Sequence, residues 1–127
     1  MNSFDIDGVI YISAELGGIF PGPHDVIITG RSFEEAPETI AMLTKRGISN
    51  YVYFNPLPFA QKTRVSSGEH KARILNNLRE QGIKVGIHFE DDPIQAQVIA
   101  DQAPHVAIVL LQHDLTEREN VRHPMPD

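Results

Sequence analysis

Short apolar runs alternate with longer amphipathic stretches along this chain, and that alternation constrains the fold more than any other feature. Phe4 and Ile6 running into Val9-Ile10, then Val26-Ile27-Ile28, Tyr51-Val52-Tyr53-Phe54, Val85 to Phe89 and Val106 to Leu111 read as five strands. Between them, Ile40 and Leu43 mark one helix, and Ile74, Leu75 and Leu78 mark a second. A third helix runs from Pro93 to Gln102. Ser32-Phe33-Glu34-Glu35 matches a capping box, but it would put Pro37 inside the first helix. Proline suits the first helical position, so that helix is expected to start near Pro37 and to close at Gly47. Asn55 to Gly68 reads as a loop, and the second helix is expected over Glu69 to Gln81. Strand followed by helix at this spacing predicts an α/β fold: a three-layer, Rossmann-like parallel sheet with helices on both faces and right-handed crossovers.

The length of 127 residues fits one domain, expected over residues 1–111, with residues 112–127 as a polar C-terminal tail. Eleven Lys and Arg against seventeen Asp and Glu give a formal charge of −6. That balance disfavours long nucleic acid and anionic membrane as partners, because there is no surplus of cations to displace counterions. The absence of cysteine excludes disulfides, thiolate metal sites and a cysteine nucleophile. No signal peptide is visible at the N-terminus, and the longest apolar run falls far short of the roughly 20 residues that cross a bilayer. A cytoplasmic domain is expected.

In parallel sheets of this kind, ligands bind at the carboxyl ends of the strands. Asp5-Ile6-Asp7-Gly8 follows the first strand, Thr29-Gly30-Arg31 the second and Glu90-Asp91-Asp92 the fourth, with Lys71 near the start of the second helix. Residues i and i+2 of an extended segment face the same way, which would turn Asp5 and Asp7 into one pocket. Crowded carboxylates call for a cation, and oxygen donors without Cys or paired His favour a hard ion, Mg²⁺. Thr29 and the backbone amides beside it suit a phosphate, and Lys71 would balance its charge. Together these residues describe metal-assisted phosphoryl transfer.

The same residues give the chain a resemblance to the haloacid dehalogenase-like (HAD) hydrolase superfamily, extending from Phe4 to about Leu111. Phe4-Asp5-Ile6-Asp7-Gly8-Val9 matches its first motif, Ile27-Ile28-Thr29-Gly30-Arg31 the second, Lys71 the third, and Asp91-Asp92 after Glu90 the fourth. The resemblance implies five core strands in the order 5-4-1-2-3. It implies Asp5 as the nucleophile that forms an aspartyl-phosphate and Asp7 as general acid and then base. Mg²⁺ would be held by Asp5, by Asp7 through its backbone carbonyl, and by Asp91 or Asp92. Thr29, Gly30, Arg31 and Lys71 would bind the phosphoryl group and substrate. Lys62 competes with Lys71, and Glu90 with the aspartates, for their roles. The spacing between motifs leaves no room for a cap domain, and in capless relatives a large substrate or a neighbouring subunit closes the site, so a homo-oligomer is a further implication.

The implied function is a Mg²⁺-dependent phosphatase acting on a nucleotide, a sugar phosphate or a similar small substrate. Thr29-Gly30-Arg31 resembles the second motif of relatives that act on nucleotides or polynucleotide ends. A non-catalytic domain that binds Mg²⁺ and a phosphorylated ligand is the alternative, as is a phosphotransferase. A calcium loop at Asp5 would need Gly where Ile10 stands and Glu where Leu16 stands. A phosphoacceptor receiver domain would need its Asp after the third strand, where this chain has Asn55. None of the six histidines is assigned chemistry; His88 reads as a strand residue and His70 as an exposed residue at a helix start.

Overall fold

A computed structural model describes residues 1–13 and 15–112 of the chain. Its elements run β1 (Ser3–Phe4), β2 (Val26–Ser32), α1 (Ala36–Lys45), β3 (Val52–Asn55), α2 (Arg64–Glu80), β4 (Ile87–Glu90), α3 (Pro93–Gln102) and β5 (Ala107–Leu110). All strand pairings are parallel, and the order across the sheet is β3-β2-β1-β4-β5, or β5-β4-β1-β2-β3 counted from the other edge. The protein is therefore α/β with a five-stranded parallel sheet, consistent with a Rossmann-like fold. The tail expected over 112–127 lies, from residue 113 on, outside the described residues. Among the described residues no helix is long and apolar enough to cross a membrane.

The sheet divides the core in two. Val26 and Ile28 point to one side and pack with Ala72, Leu75 and Leu78 of α2 and Ile99 of α3. Ile27, between them, points to the other side with Phe4, Ile6, Val9, Ile10 and Leu43 of α1. A period of two along β2 thus feeds both layers, which is why the strand is apolar at consecutive positions.

Several boundaries differ from the sequence-based expectation. β2 does not stop at Thr29-Gly30 but runs to Ser32, with a register shift against β3 between Ile28 and Ser32. The capping box that Pro37 argued against is present: Ser32 and Glu35 cap a one-turn 3-10 helix, Phe33–Glu35. α1 then starts with Pro37 in its first turn, so both signals are satisfied in succession. α2 begins five residues before Glu69, because Thr63 and Ser66 cap each other's backbone amides. Most of the expected loop is thereby shortened to residues 56–63, which contain a second 3-10 turn, Phe59–Gln61. His70, expected to be exposed, is buried one turn further into the helix than that reading placed it.

Candidate active site

The loop after β1 is built around a glycine. Asp5 still donates its amide to Phe89 of β4 (3.1 Å), after which the chain turns and Gly8 closes on Tyr11 (2.8 Å). Gly8 has φ +82°, and a β-carbon there would stand 1.8 Å from Asp91 Oδ2. Only glycine allows the fourth-strand acid to press against the first-strand loop, and this contact joins two segments more than 80 residues apart in the chain.

Lys71 arrives from α2 to meet them. Its Nζ lies 3.1 Å from Asp5 Oδ2 and 2.7 Å from Glu90 Oε1, with all three residues buried. Asp5 Oδ1 accepts the Ile6 amide (2.8 Å), which fixes the carboxylate plane. Lys62, the other candidate lysine, is also buried but turns away: it donates to Glu35 Oε2 (2.8 Å) and to the Gly30 carbonyl (3.2 Å).

Glu90 holds the site from behind. Oε1 takes Lys71 and His88 Nε2 (3.1 Å), while Oε2 accepts the amides of Asp91 and Asp92, both at 3.3 Å. His88 and Glu90 lie within ion-pair distance, but burial holds His88 down at about 3, so the imidazole is neutral. Its Nε2–H then donates to Glu90 and its Nδ1 accepts the Ser3 hydroxyl (2.7 Å).

Asp5, Glu90 and Asp91 each offer a carboxylate oxygen within 4.8 Å of the others. Crowding and burial make this costly. Burial, with the Glu90 charge beside it, pushes the Asp5 carboxyl up to about 7 against the pull of Lys71. Burial, then the charges of Asp5 and Glu90, pushes Asp91 up to about 9. A divalent cation among these oxygens would reverse both shifts, and the all-oxygen donor set suits a hard ion.

The remaining residues divide into pairs beside this centre. Arg31 grips both oxygens of Asp7, Nε to Oδ2 and Nη2 to Oδ1, each at 2.9 Å, and its Nη1 donates to Thr39 Oγ1 (3.1 Å). Although burial opposes it, the bond to Asp7 raises the guanidinium above its ordinary value. Asp7 remains near enough for its charge to raise Asp5 further. Thr29, fully buried, accepts the Arg31 amide at Oγ1 (3.0 Å). Asp92 does not join the acid cluster: it caps α3 through Ile94, takes both arms of Arg64 and accepts from Gln95 Nε2 (3.0 Å). Burial raises its carboxyl, but Arg64 and these donors hold it below the usual range.

Of the residues expected at the site, Asp5, Lys71 and Asp91 thus converge, together with Glu90. Asp7 and Arg31 pair with each other at its side, next to Thr29 and Gly30, and Asp92 is turned toward Arg64. Sequence reading gave no role to Arg64, Glu35, Thr39 or Ser3. Glu35 had a visible signal in the capping box, whereas Arg64 lay in a segment read as loop. A scan of known protein families, a search of curated proteins and a search of solved structures each find no match for this chain.

Proposed function

We propose that this chain is a Mg²⁺-dependent phosphomonoesterase of the capless HAD type, working through an aspartyl-phosphate. The observation that carries the reading is the junction of Asp5, Lys71 and Asp91. Three residues from separate parts of the chain meet at the carboxyl end of the central strand, where the resemblance expects a nucleophile, a phosphate-binding lysine and a metal ligand.

The chemistry follows from the positions. Asp5, oriented by the Ile6 amide and Lys71, attacks phosphorus while the ester oxygen leaves with a proton from Asp7. Water then attacks the aspartyl-phosphate as Asp7 takes back a proton, releasing phosphate and restoring both carboxyl groups. Lys71 neutralises charge on the phosphoryl oxygens, and Thr29 with the amides around Gly30 lines their pocket. Asp5 and Asp91, with Glu90 behind them, would hold Mg²⁺, which would supply Lewis-acid stabilisation of the transferring group. Nucleotide and sugar monophosphates are the substrate candidates, in a cytoplasmic setting, with a homo-oligomer as the capless resemblance implies.

One observation favours the alternative of a binding domain without turnover: both oxygens of Asp7 are occupied by Arg31, so Asp7 must be released before it can move a proton. Hydrolysis of p-nitrophenyl phosphate with and without Mg²⁺, wild type beside Asp5→Asn, separates the two. Metal-dependent release of nitrophenol that disappears in the variant supports the enzyme. Binding of Mg²⁺ by the wild type that weakens in the variant, with no nitrophenol released by either protein, overturns it.

A further inference from the structure

We propose that the mouth of this site selects esters carrying a single phosphate and a planar ring close to it. The inference rests on the phosphomonoesterase reading and narrows its substrate class. Two features of the site lead to it, one electrostatic and one apolar.

Every cation of the ionic network is already matched to an acid. Arg31 lies on Asp7, Lys62 on Glu35, Arg64 on Asp92, and Lys71 between Asp5 and Glu90. With Asp91 added, six carboxylates face four cations, an excess of two negative charges that one divalent ion neutralises. Such a site accepts one phosphoryl group beside its metal. A second phosphate meets no uncommitted positive charge from this network.

Three exposed side chains early in the segments beyond the strand ends are apolar instead. Phe33 follows the last residue of β2 and is 52% exposed, while Val65 is the second residue of α2 and Ile94 the second of α3, both exposed. Phe59 is tied to this rim twice: its amide donates to Glu34 Oε1 (2.8 Å), and its ring lies 5.0 Å from Lys62 Nζ, which itself reaches Gly30. An aromatic surface beside a phosphate pocket, with its nearby charges cancelled, fits a planar leaving group that stacks while its phosphate reaches Asp5. That chemistry occurs in benzyl-type phosphates and in nucleoside monophosphates.

The test compares esters with alcohols of similar acidity, so that differences report recognition rather than leaving-group ability. Benzyl phosphate is set against n-propyl phosphate and adenosine 5′-monophosphate against ribose 5-phosphate, all with Mg²⁺; adenosine diphosphate, an anhydride whose leaving group is a phosphate, is compared with the monophosphate by binding alone, as the Ki against benzyl phosphate turnover. The ring-bearing member is expected to have a kcat/KM about tenfold higher, mostly through KM, and the diphosphate to bind more weakly than the monophosphate. Phe33→Ser is expected to bring the ring preference toward unity. Tyr51→Ser, at an exposed aromatic residue preceding β3 at the opposite end of the sheet, leaves that preference in place. The pair that shows the larger ratio identifies which source of the ring is used. Asp5-dependent turnover that ignores the ring, or tighter binding of the diphosphate than of the monophosphate, overturns this inference and leaves the phosphomonoesterase reading standing. No Asp5-dependent turnover of any ester overturns that reading, and this inference with it.

Discussion

At the scale of single residues, Gly8 bears the tightest constraint. An alanine there must adopt φ +82° and place its β-carbon 1.8 Å from Asp91 Oδ2. Gly8→Ala is expected to cost about 2 kcal/mol or more in urea unfolding and to abolish Mg²⁺ binding in a titration. A variant that folds with full stability and binds Mg²⁺ normally would refute the close approach. His70 gives a different signature. Burial holds it down at about 4, so in the folded chain it is neutral where the unfolded chain takes a proton at about 6.5. Its contribution is complete above pH 6.5 and is lost as pH falls toward 4. Relative to His70→Gln, the wild type should lose up to about 1.4 kcal/mol per pH unit across that window, read from urea unfolding at each pH. Parallel pH profiles would show that His70 titrates freely. The sequence shows a histidine here but not its burial, which depends on the position of the helix start.

At the scale of elements, that helix start is the instructive case. The apolar stripe of Leu75 and Leu78 and the closing Gly82 made the C-terminal half of α2 legible. Its first turn, Arg64-Val65-Ser66-Ser67-Gly68, reads as loop because serine and glycine disfavour helix interiors and Ser66 replaces the usual Glu or Gln of a capping box. Tertiary packing overrides that preference. A β-carbon at Gly68 would stand 2.9 Å from Val98 Cβ and 3.2 Å from Gln95 Cα, so the glycine lets α2 and α3 approach closely. Gly68→Ala tests this directly, because helix propensity alone favours the change by about 1 kcal/mol. Packing should reverse the sign, giving a net loss of about 1–3 kcal/mol in chemical denaturation. A stabilised variant would mean that the two helices have room to spare. The acid cluster was easier to read, since strand ends in parallel sheets are predictable. Which acids meet was not: Glu90 ends β4 whereas Asp92 caps α3, and the Arg64 that claims Asp92 lies on the misread turn.

At the scale of the whole molecule, the crowded acids Asp5, Glu90 and Asp91 make stability depend on a cation or on protons held in its place. Asp91, pushed up to about 9, and Asp5, to about 7, keep protons in the metal-free fold that the unfolded chain releases near 3.8. Metal-free stability should therefore be fullest below pH 4 as far as these two groups are concerned, and decline as pH rises through 7 to 9. Asp91→Asn removes one of these penalties. In the presence of a chelator at pH 8 it should melt higher than wild type, whereas Mg²⁺ at a hundred times its Kd should add about 2.7 kcal/mol to the wild type and much less to the variant. Thermal melts of both proteins with and without Mg²⁺ check this, and equal responses to the ion would place the metal elsewhere.

The two-residue strand at the centre of the sheet has a consequence for the order in which the molecule is made. Ser3 and Phe4 pair on one side with Val26 and Ile27 and on the other with His88 and Phe89. The second partner is 85 residues away in sequence. During synthesis, a chain that has not yet delivered β4 leaves the segment bearing Asp5 with only one neighbour, and closing so long a loop is slow. Asp5, synthesised well before β4, is therefore locked in place only once β4 arrives, and chains released before residue 90 should lack the site whatever part of α1 or β2 they have formed.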